Sequence, residues 1–192
     1  MQNKTKIIGI SGTNGSGKDT VSLLISELLN FQFVSLGQML RDELKKQGKS
    51  LTRDSTRELS NQLETTNGPD VLVQMALEKF DPTKFNGIVI SSLRNVFEAD
   101  KIKELGGLIL WIDADPQIRW QRVQKRDNNR PDDRASFSNF ILAENNEMNP
   151  SPTNHNLNVM AVKPKANHEI FNNGDLLSLK SSLTEYFSVE SN

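Results

Sequence analysis

Short apolar runs alternate with amphipathic stretches along the chain. Runs of consecutive apolar residues bounded by polar or turn residues are typical of buried strands, and apolar residues at helical spacing are typical of helices that pack on one face. The strands predicted from these runs are residues 4–10, 31–35, 88–94 and 108–113, with a last strand and turn within 169–175. Because parallel strands need helical crossovers, this alternation predicts an α/β fold with a parallel five-stranded sheet covered on both faces.

Helical stretches connect these runs. The first is predicted at about residues 17–30, where Val21, Ile25 and Leu28 belong to one apolar stripe. Residues 149–162 are polar, rich in proline and asparagine and without periodicity, so they predict a surface loop. The other predicted helices are 41–47, 50–80 with a break at Asn67-Gly-Pro69, 95–105, a helix that begins at Asp115-Pro116, 136–148 and 176–187.

A glycine-rich turn joins the first strand to the first helix. Glycines allow positive φ, so successive backbone N–H groups can face one anion, while the following helix aims its N-terminal dipole at the same place. A lysine at the start of that helix adds a point charge for outer phosphates. This pattern predicts a P-loop that binds ATP, with the candidate residues Gly12, Asn14, Gly15, Ser16, Gly17, Lys18, Asp19 and Thr20.

One position departs from the commonest P-loop pattern. Asp19 follows the lysine, where many P-loop proteins have a Ser or Thr hydroxyl on the metal, and Thr20 is the next hydroxyl. We expect Mg²⁺ to accompany ATP, with Asp19 and Thr20 as candidate metal-site residues that act partly through water.

Composition narrows the possible partners. The chain has 192 residues, a formal net charge of -1 and no cysteine, which excludes disulfides, zinc–thiolate sites and thiol catalysis. The charge gives no reason to expect nucleic acid or an anionic membrane, and no apolar run approaches the ~20 residues that span a bilayer. We expect a single domain over residues 1–192, cytoplasmic, and either a monomer or a homodimer.

Two motifs resemble those of adenylate kinases and other nucleoside monophosphate kinases. The sequence pattern Gly-Ser-Gly-Lys-x-Thr is similar to that of their P-loop. The segment Ser35-Leu-Gly-Gln-Met-Leu-Arg41 is similar to the one whose arginine binds the acceptor phosphate. The resemblance implies that Arg41 and Arg94 bind the acceptor. The family has an aspartate before the second arginine, whereas this chain has Ser91 and Ser92, so Asp19 or another acid would have to supply that carboxylate.

An arginine-rich stretch follows the strand at 108–113. The spacing of Arg119, Arg122 and Arg126 places them on one helix face, which predicts an anionic partner. The resemblance implies that Arg122 binds ATP, and that Arg126 and Arg130 act on the transferred phosphoryl group beside a short lid at about 127–136. The alternative is structural pairing of these arginines with nearby acids. For Arg53 and Arg57 a solvated helix face is expected, and contact with substrate is the alternative. The acids available for structural pairing with the arginine-rich stretch are Asp127, Asp132, Asp133 and Glu144.

The resemblance implies a three-layer P-loop fold with strand order 2-3-1-4-5 and a helical acceptor-binding insertion at about 37–80. The short lid and the ending Ile170-Phe-Asn-Asn-Gly-Asp175 look most like archaeal-type dephospho-CoA-kinase-like nucleotide kinases. The implied activity is transfer of the γ-phosphoryl group of ATP to a nucleoside or deoxynucleoside monophosphate, with Lys18 catalytic. Two alternatives stay open: a dephospho-CoA kinase, and a nucleotide-binding switch or ATPase without a small acceptor.

Overall fold

A computed structural model describes residues 6–126, 134–148 and 158–189. Five parallel strands form one sheet in the order β2-β3-β1-β4-β5, which confirms the expected order. Lys6 of β1 pairs with Gly87 of β3, and Ile8 of β1 pairs with Leu108 of β4. Strand β1 is therefore central. The strands are β1 (Lys6–Gly12), β2 (Phe31–Ser35), β3 (Gly87–Ser91), β4 (Leu108–Asp113) and β5 (His168–Phe171).

Helices cover both faces of the sheet. The described helices are α1 (Lys18–Leu29), α2 (Leu36–Lys46), α3 (Arg53–Asn67), α4 (Val71–Glu78), α5 (Val96–Glu104), α6 (Pro116–Gln124), α7 (Phe137–Met148) and α8 (Leu176–Val189), with a 3₁₀ helix at Val159–Lys165. Val21 and Ile25 of α1 pack with Leu183 of α8 against one face. Residues of α2 to α5 and the 3₁₀ helix pack against the other, together with Trp111 of β4.

Local capping sets several helix boundaries. Helix α2 begins at Leu36, five residues before the predicted start at Arg41, because the Ser35 hydroxyl accepts the Gln38 N–H and caps it. Gly68 ends α3 and α4 begins at Val71, so the predicted break at Asn67-Gly-Pro69 is confirmed.

Part of the predicted loop at 149–162 is ordered helix instead. The 3₁₀ helix begins at Val159, and Val159 and Val162 are buried in the core cluster of α5 and β4. Two valines three residues apart are too weak a pattern to predict a helix from sequence. Residues 149–157 and most of the predicted lid, including Arg130, lie outside the described residues.

The start of β3 tolerates no side chain. A Cβ added to Gly87 would lie 2.5 Å from the Lys6 carbonyl oxygen and 2.6 Å from the Phe31 ring. We expect Gly87→Ala to lower the free energy of unfolding by about 3 kcal/mol, because backbone and a packed ring must shift. Gly48→Ala is the control: nothing lies within 4 Å of the added Cβ, and its φ of 66° costs only about 1 kcal/mol. Urea unfolding measures both, and equal losses would contradict the packing argument.

Candidate active site

The P-loop lies between β1 and α1, at the carboxyl edge of the sheet. Its three glycines have φ values of 138° at Gly12, 81° at Gly15 and 92° at Gly17, the positive values that the sequence predicts. A Cβ on Gly12 would lie 1.9 Å from the Ile112 carbonyl oxygen, and one on Gly15 would lie 2.5 Å from that of Arg119. Glycine is therefore required at both positions by φ and by space.

Side chains from β4, α6 and the segment after β5 support the loop from behind. The Thr13 hydroxyl donates to Asp113 Oδ1 at 2.6 Å. Arg119 Nη1 donates to the Asn14 carbonyl at 3.2 Å, and Asn172 Nδ2 donates to the Ser16 carbonyl at 2.8 Å. The loop is thus held by contacts from three distant parts of the chain.

Lys18 is the first residue of α1 and its side chain folds over the loop. Its Nζ donates to the carbonyls of Thr13 at 2.6 Å and Gly12 at 3.0 Å. The ammonium therefore stands beside the helix N-terminus, where the macrodipole also favours an anion. The Lys18 ammonium and the N-terminus of α1 thus lie together at this corner of the sheet.

Asp19 brings a carboxylate to the end of β3 from another element. Its side chain is exposed at the mouth of the loop, and Asp19 Oδ1 accepts a hydrogen bond from the buried Ser91 hydroxyl at 3.0 Å. Thr20, the other candidate metal-site residue, is exposed on the same turn. The Asp19 carboxylate therefore lies at the end of β3, beside the Ser91 hydroxyl.

A cleft opens beside the end of β3, on the side of α2 and α3. Three arginines from three different segments line it, Arg41 on α2, Arg57 on α3 and Arg94 after β3. The structure thus brings together Arg41 and Arg94, which the sequence assigns to one acceptor. Arg57 is only partly on the solvated face that the sequence favours: its Nη1 donates to the exposed Asp54 Oδ1 at 3.3 Å, while its Nε is buried without a hydrogen-bond partner and the residue lines the cleft.

Glu98 is a buried acid in the same cleft that the sequence analysis missed. It is 1% exposed, and its Oε2 accepts the backbone N–H of Arg94 at 2.5 Å and that of Asn95 at 3.3 Å. Burial raises the pKa of its carboxyl to about 7, assisted by the nearby Glu64 and opposed by the Arg94 N–H. The Asn95-x-x-Glu98 capping box was a visible signal for this residue, although only for its role at the helix start.

The arginines of α6 do not form the predicted cationic face. Arg119 is 4% exposed and forms a buried ion pair with Glu144 of α7, so for this arginine the structural alternative is correct. Arg122 donates to the carbonyls of Asn172 at 2.8 Å and Gly174 at 3.4 Å, and burial lowers the pKa of its guanidinium. Helix α6 ends before Arg126. The single face fails because its members differ in burial and one lies beyond the helix.

Comparison with known proteins places the chain in a family. Residues 8–150 match the AAA domain family. A UPF0200 protein of Methanococcus vannielii is 34% identical over 148 residues, which are 74% of this chain and 77% of the relative. The chain belongs to the UPF0200 group of AAA domain proteins. A cytidylate kinase of Sulfurisphaera tokodaii is 30% identical over 122 residues, 64% of this chain and 63% of that enzyme.

Solved structures show the fold of this UPF0200 chain. Shikimate kinase from Bacteroides thetaiotaomicron superposes with a TM-score of 0.64 at 15% identity, over 97% of this chain and 99% of that one. The fold is therefore that of P-loop kinases, as the sequence resemblance implied. The finer likeness to adenylate kinases or dephospho-CoA-kinase-like enzymes stays a prediction. None of the helices in the described part of the chain has the length and apolar character to cross a membrane.

The buried carboxyl of Glu98 gives a test by pH. Its pKa is about 7 in the fold against 4.5 normally, so between these values the folded chain keeps a proton that the unfolded chain has lost. The contribution of Glu98 to stability then falls as pH rises through this window. Relative to Glu98→Gln, which cannot titrate, we expect the wild-type free energy of unfolding to fall by about 3 kcal/mol from pH 4.5 to pH 8.

Urea unfolding at several pH values measures this difference. Glu104→Gln on the same helix is the control, since Glu104 is exposed and its removal should leave the pH dependence of wild type intact. Parallel stability curves for wild type and Glu98→Gln would show that the Glu98 carboxyl titrates normally.

Proposed function

We propose that this chain is an ATP-dependent phosphotransferase that moves the γ-phosphoryl group of ATP to a nucleoside or deoxynucleoside monophosphate. The observation that carries the proposal is the juxtaposition of two anion sites. The P-loop lies on one side of the end of β3, the three-arginine cleft lies on the other, and the Ser91–Asp19 hydrogen bond connects them. Two anion sites that share one edge suit a donor and an acceptor, each carrying phosphate.

The P-loop side of the site would bind ATP, the phosphoryl donor, through backbone N–H groups and the charge of Lys18. Amides of the P-loop and the first turn of α1 face the β and γ phosphates, and the Lys18 ammonium exchanges its loop carbonyls for phosphate oxygens. Arg122 is proposed to contact ATP from α6. Its present partners are backbone carbonyls, so its guanidinium already lies beside the segment after β5.

The residues present fit Mg²⁺ bound together with ATP. Within residues 6–126, 134–148 and 158–189 no three His, Asp or Glu side chains meet as a metal site. Mg²⁺ commonly uses one or two carboxylates together with substrate phosphates and water. Asp19 at the mouth of the loop would serve as that carboxylate, with Thr20 nearby. The ion would neutralise phosphate charge during transfer.

The acceptor side would bind through guanidinium groups. Arg41 donates to Gln38 Oε1 at 2.8 Å, which holds its planar head at the cleft, and the Arg94 backbone is fixed by Glu98. Phosphoryl transfer passes through a loose transition state, so positioning and charge neutralisation supply most of the catalysis. Arg126 and Arg130 are proposed to neutralise the transferred group.

One observation supports dephospho-CoA kinase as a second candidate. Transfer to a ribose hydroxyl calls for a carboxylate near the acceptor, and the β3 end has serines where related kinases have an acid. Asp19 reaches that place from α1, hydrogen-bonded to Ser91. The substrate panel below therefore includes dephospho-CoA.

The acceptor is tested by coupled ADP release from ATP-Mg. The panel is AMP, CMP, UMP, GMP, their deoxy forms, dTMP and dephospho-CoA, with Arg41→Ala beside the wild type. We expect strong stimulation by a nucleoside monophosphate that Arg41→Ala loses, because a clamp on its phosphate is removed. Lys46→Ala, on the same helix and 76% exposed, should behave as wild type. Stimulation by dephospho-CoA alone would favour the second candidate, and hydrolysis that no acceptor stimulates would favour a switch or ATPase.

The donor side is tested by Lys18→Ala and Arg126→Ala. We expect both to reduce turnover, Arg126→Ala by roughly a thousandfold if its charge faces the transferred group, and only Lys18→Ala to lose ATP binding as well. The control is Lys125→Ala, an exposed neighbour at the end of α6. Steady-state kinetics and ATP titration measure these effects, and normal turnover in Arg126→Ala would remove it from the mechanism.

A further inference from the structure

Two side chains from outside the P-loop bind carbonyls of alternate loop residues. Arg119 of α6 donates to the Asn14 carbonyl at 3.2 Å, and Asn172, just after β5, donates to the Ser16 carbonyl at 2.8 Å. Both donors are buried, at 4% and 7% exposed. The two carbonyls are therefore drawn toward the protein body.

The orientation of a carbonyl fixes the N–H of the next residue. A trans peptide is planar, and its C=O and N–H point in opposite directions. Every peptide bond in the described residues is trans. With the Asn14 and Ser16 carbonyls turned inward, the N–H groups of Gly15 and Gly17 must point outward, toward the mouth of the loop where phosphates would lie.

Both donors are themselves held by several contacts. Arg119 Nε donates to the Ala114 carbonyl at 2.8 Å, and its guanidinium is ion-paired with Glu144. The Asn172 N–H donates to the Asp113 carbonyl at 2.8 Å. A buried arginine is costly unless it is paired. Glu144 therefore both holds the Arg119 side chain in place and compensates its positive charge.

From these contacts we infer that Arg119 and Asn172 are positioning residues for phosphate binding, and that Glu144 acts through Arg119. A glycine-rich loop has many accessible peptide orientations, and binding would have to select the productive one. The two contacts make that selection before the nucleotide arrives. The inference rests on the nucleotide binding within the proposed function, and it needs no particular acceptor.

The first variant is Asn172→Leu, which keeps the side-chain size and removes the donor. We expect roughly tenfold weaker binding of ADP and of inorganic tripolyphosphate, the cost of one lost orienting hydrogen bond. The dissociation constants of both ligands should rise by the same factor, because the defect is in phosphate binding and not in contacts to the base. Isothermal titration calorimetry measures both dissociation constants.

The second variant is the double substitution Arg119→Met with Glu144→Leu. Replacing Arg119 together with Glu144 avoids leaving the buried Glu144 carboxylate unpaired, which the single substitution of Arg119 would do. The other carboxylate near Arg119, on Asp113, is 24% exposed and keeps its hydrogen bond from Thr13. The double variant should also bind ADP and inorganic tripolyphosphate roughly tenfold more weakly than wild type does. Urea unfolding, run alongside, reports how much stability each variant loses.

The control is Asn86→Leu, which removes an Asn-to-carbonyl bond far from the loop, the 3.2 Å contact with Leu29. It should lose some stability and bind both ligands as wild type does. Wild-type affinity in both positioning variants would overturn the inference and leave these residues a purely structural role. A wild type that binds neither ligand would overturn the inference together with nucleotide binding, whereas intact binding without transfer to any acceptor would overturn only the proposed phosphotransfer.

Discussion

The backbone of the loop after β1 touches the backbone at the end of β4, with no side chain between them. The Thr13 N–H donates to the Ile112 carbonyl at 3.2 Å, and a Cβ on Gly12 would lie 1.9 Å from the same oxygen. This close contact fixes where the chain leaves the sheet and so where α1 begins. The dipole of α1, the Lys18 ammonium and the Asp19 carboxylate all take their places from that exit point.

Much of the fold follows from apolar patterning, because strands buried on both faces need continuous apolar runs. The bounds of β2 and β4 are those that the sequence predicts, and resemblance to a known family supplied the strand order. The wrong predictions of helix bounds fall where a few local contacts, and not the apolar pattern, determine the start of a helix. Ser35 starts α2 early through one capping bond, and Val159 begins a short helix that has no periodicity of its own.

The candidate active site also has features that the local sequence predicts and features that it does not. Glycines and the lysine of the P-loop are local signals, and the positive φ values of the glycines are those expected. The roles of Arg57, Glu98 and Arg119 depend on residues distant in sequence or on which face of a helix is covered. The sequence favours a solvated face for Arg57 and an anionic partner for Arg119. The Asp19 carboxylate meets Ser91 across 72 residues of chain. No spacing rule connects such a pair, so only the folded chain shows which acid stands at the end of β3.

The central position of β1 has a consequence for how the chain assembles. It is the first of the five strands in sequence, yet its two partners are β3, which begins at Gly87, and β4, which begins at Leu108. Pairings so distant in sequence close late and slowly. Strand β1 therefore waits without its neighbours until the segments that form β3 and β4 are available. Because Thr13 hydrogen-bonds to Ile112 at the end of β4, the loop after β1 is among the last parts of the fold to take shape.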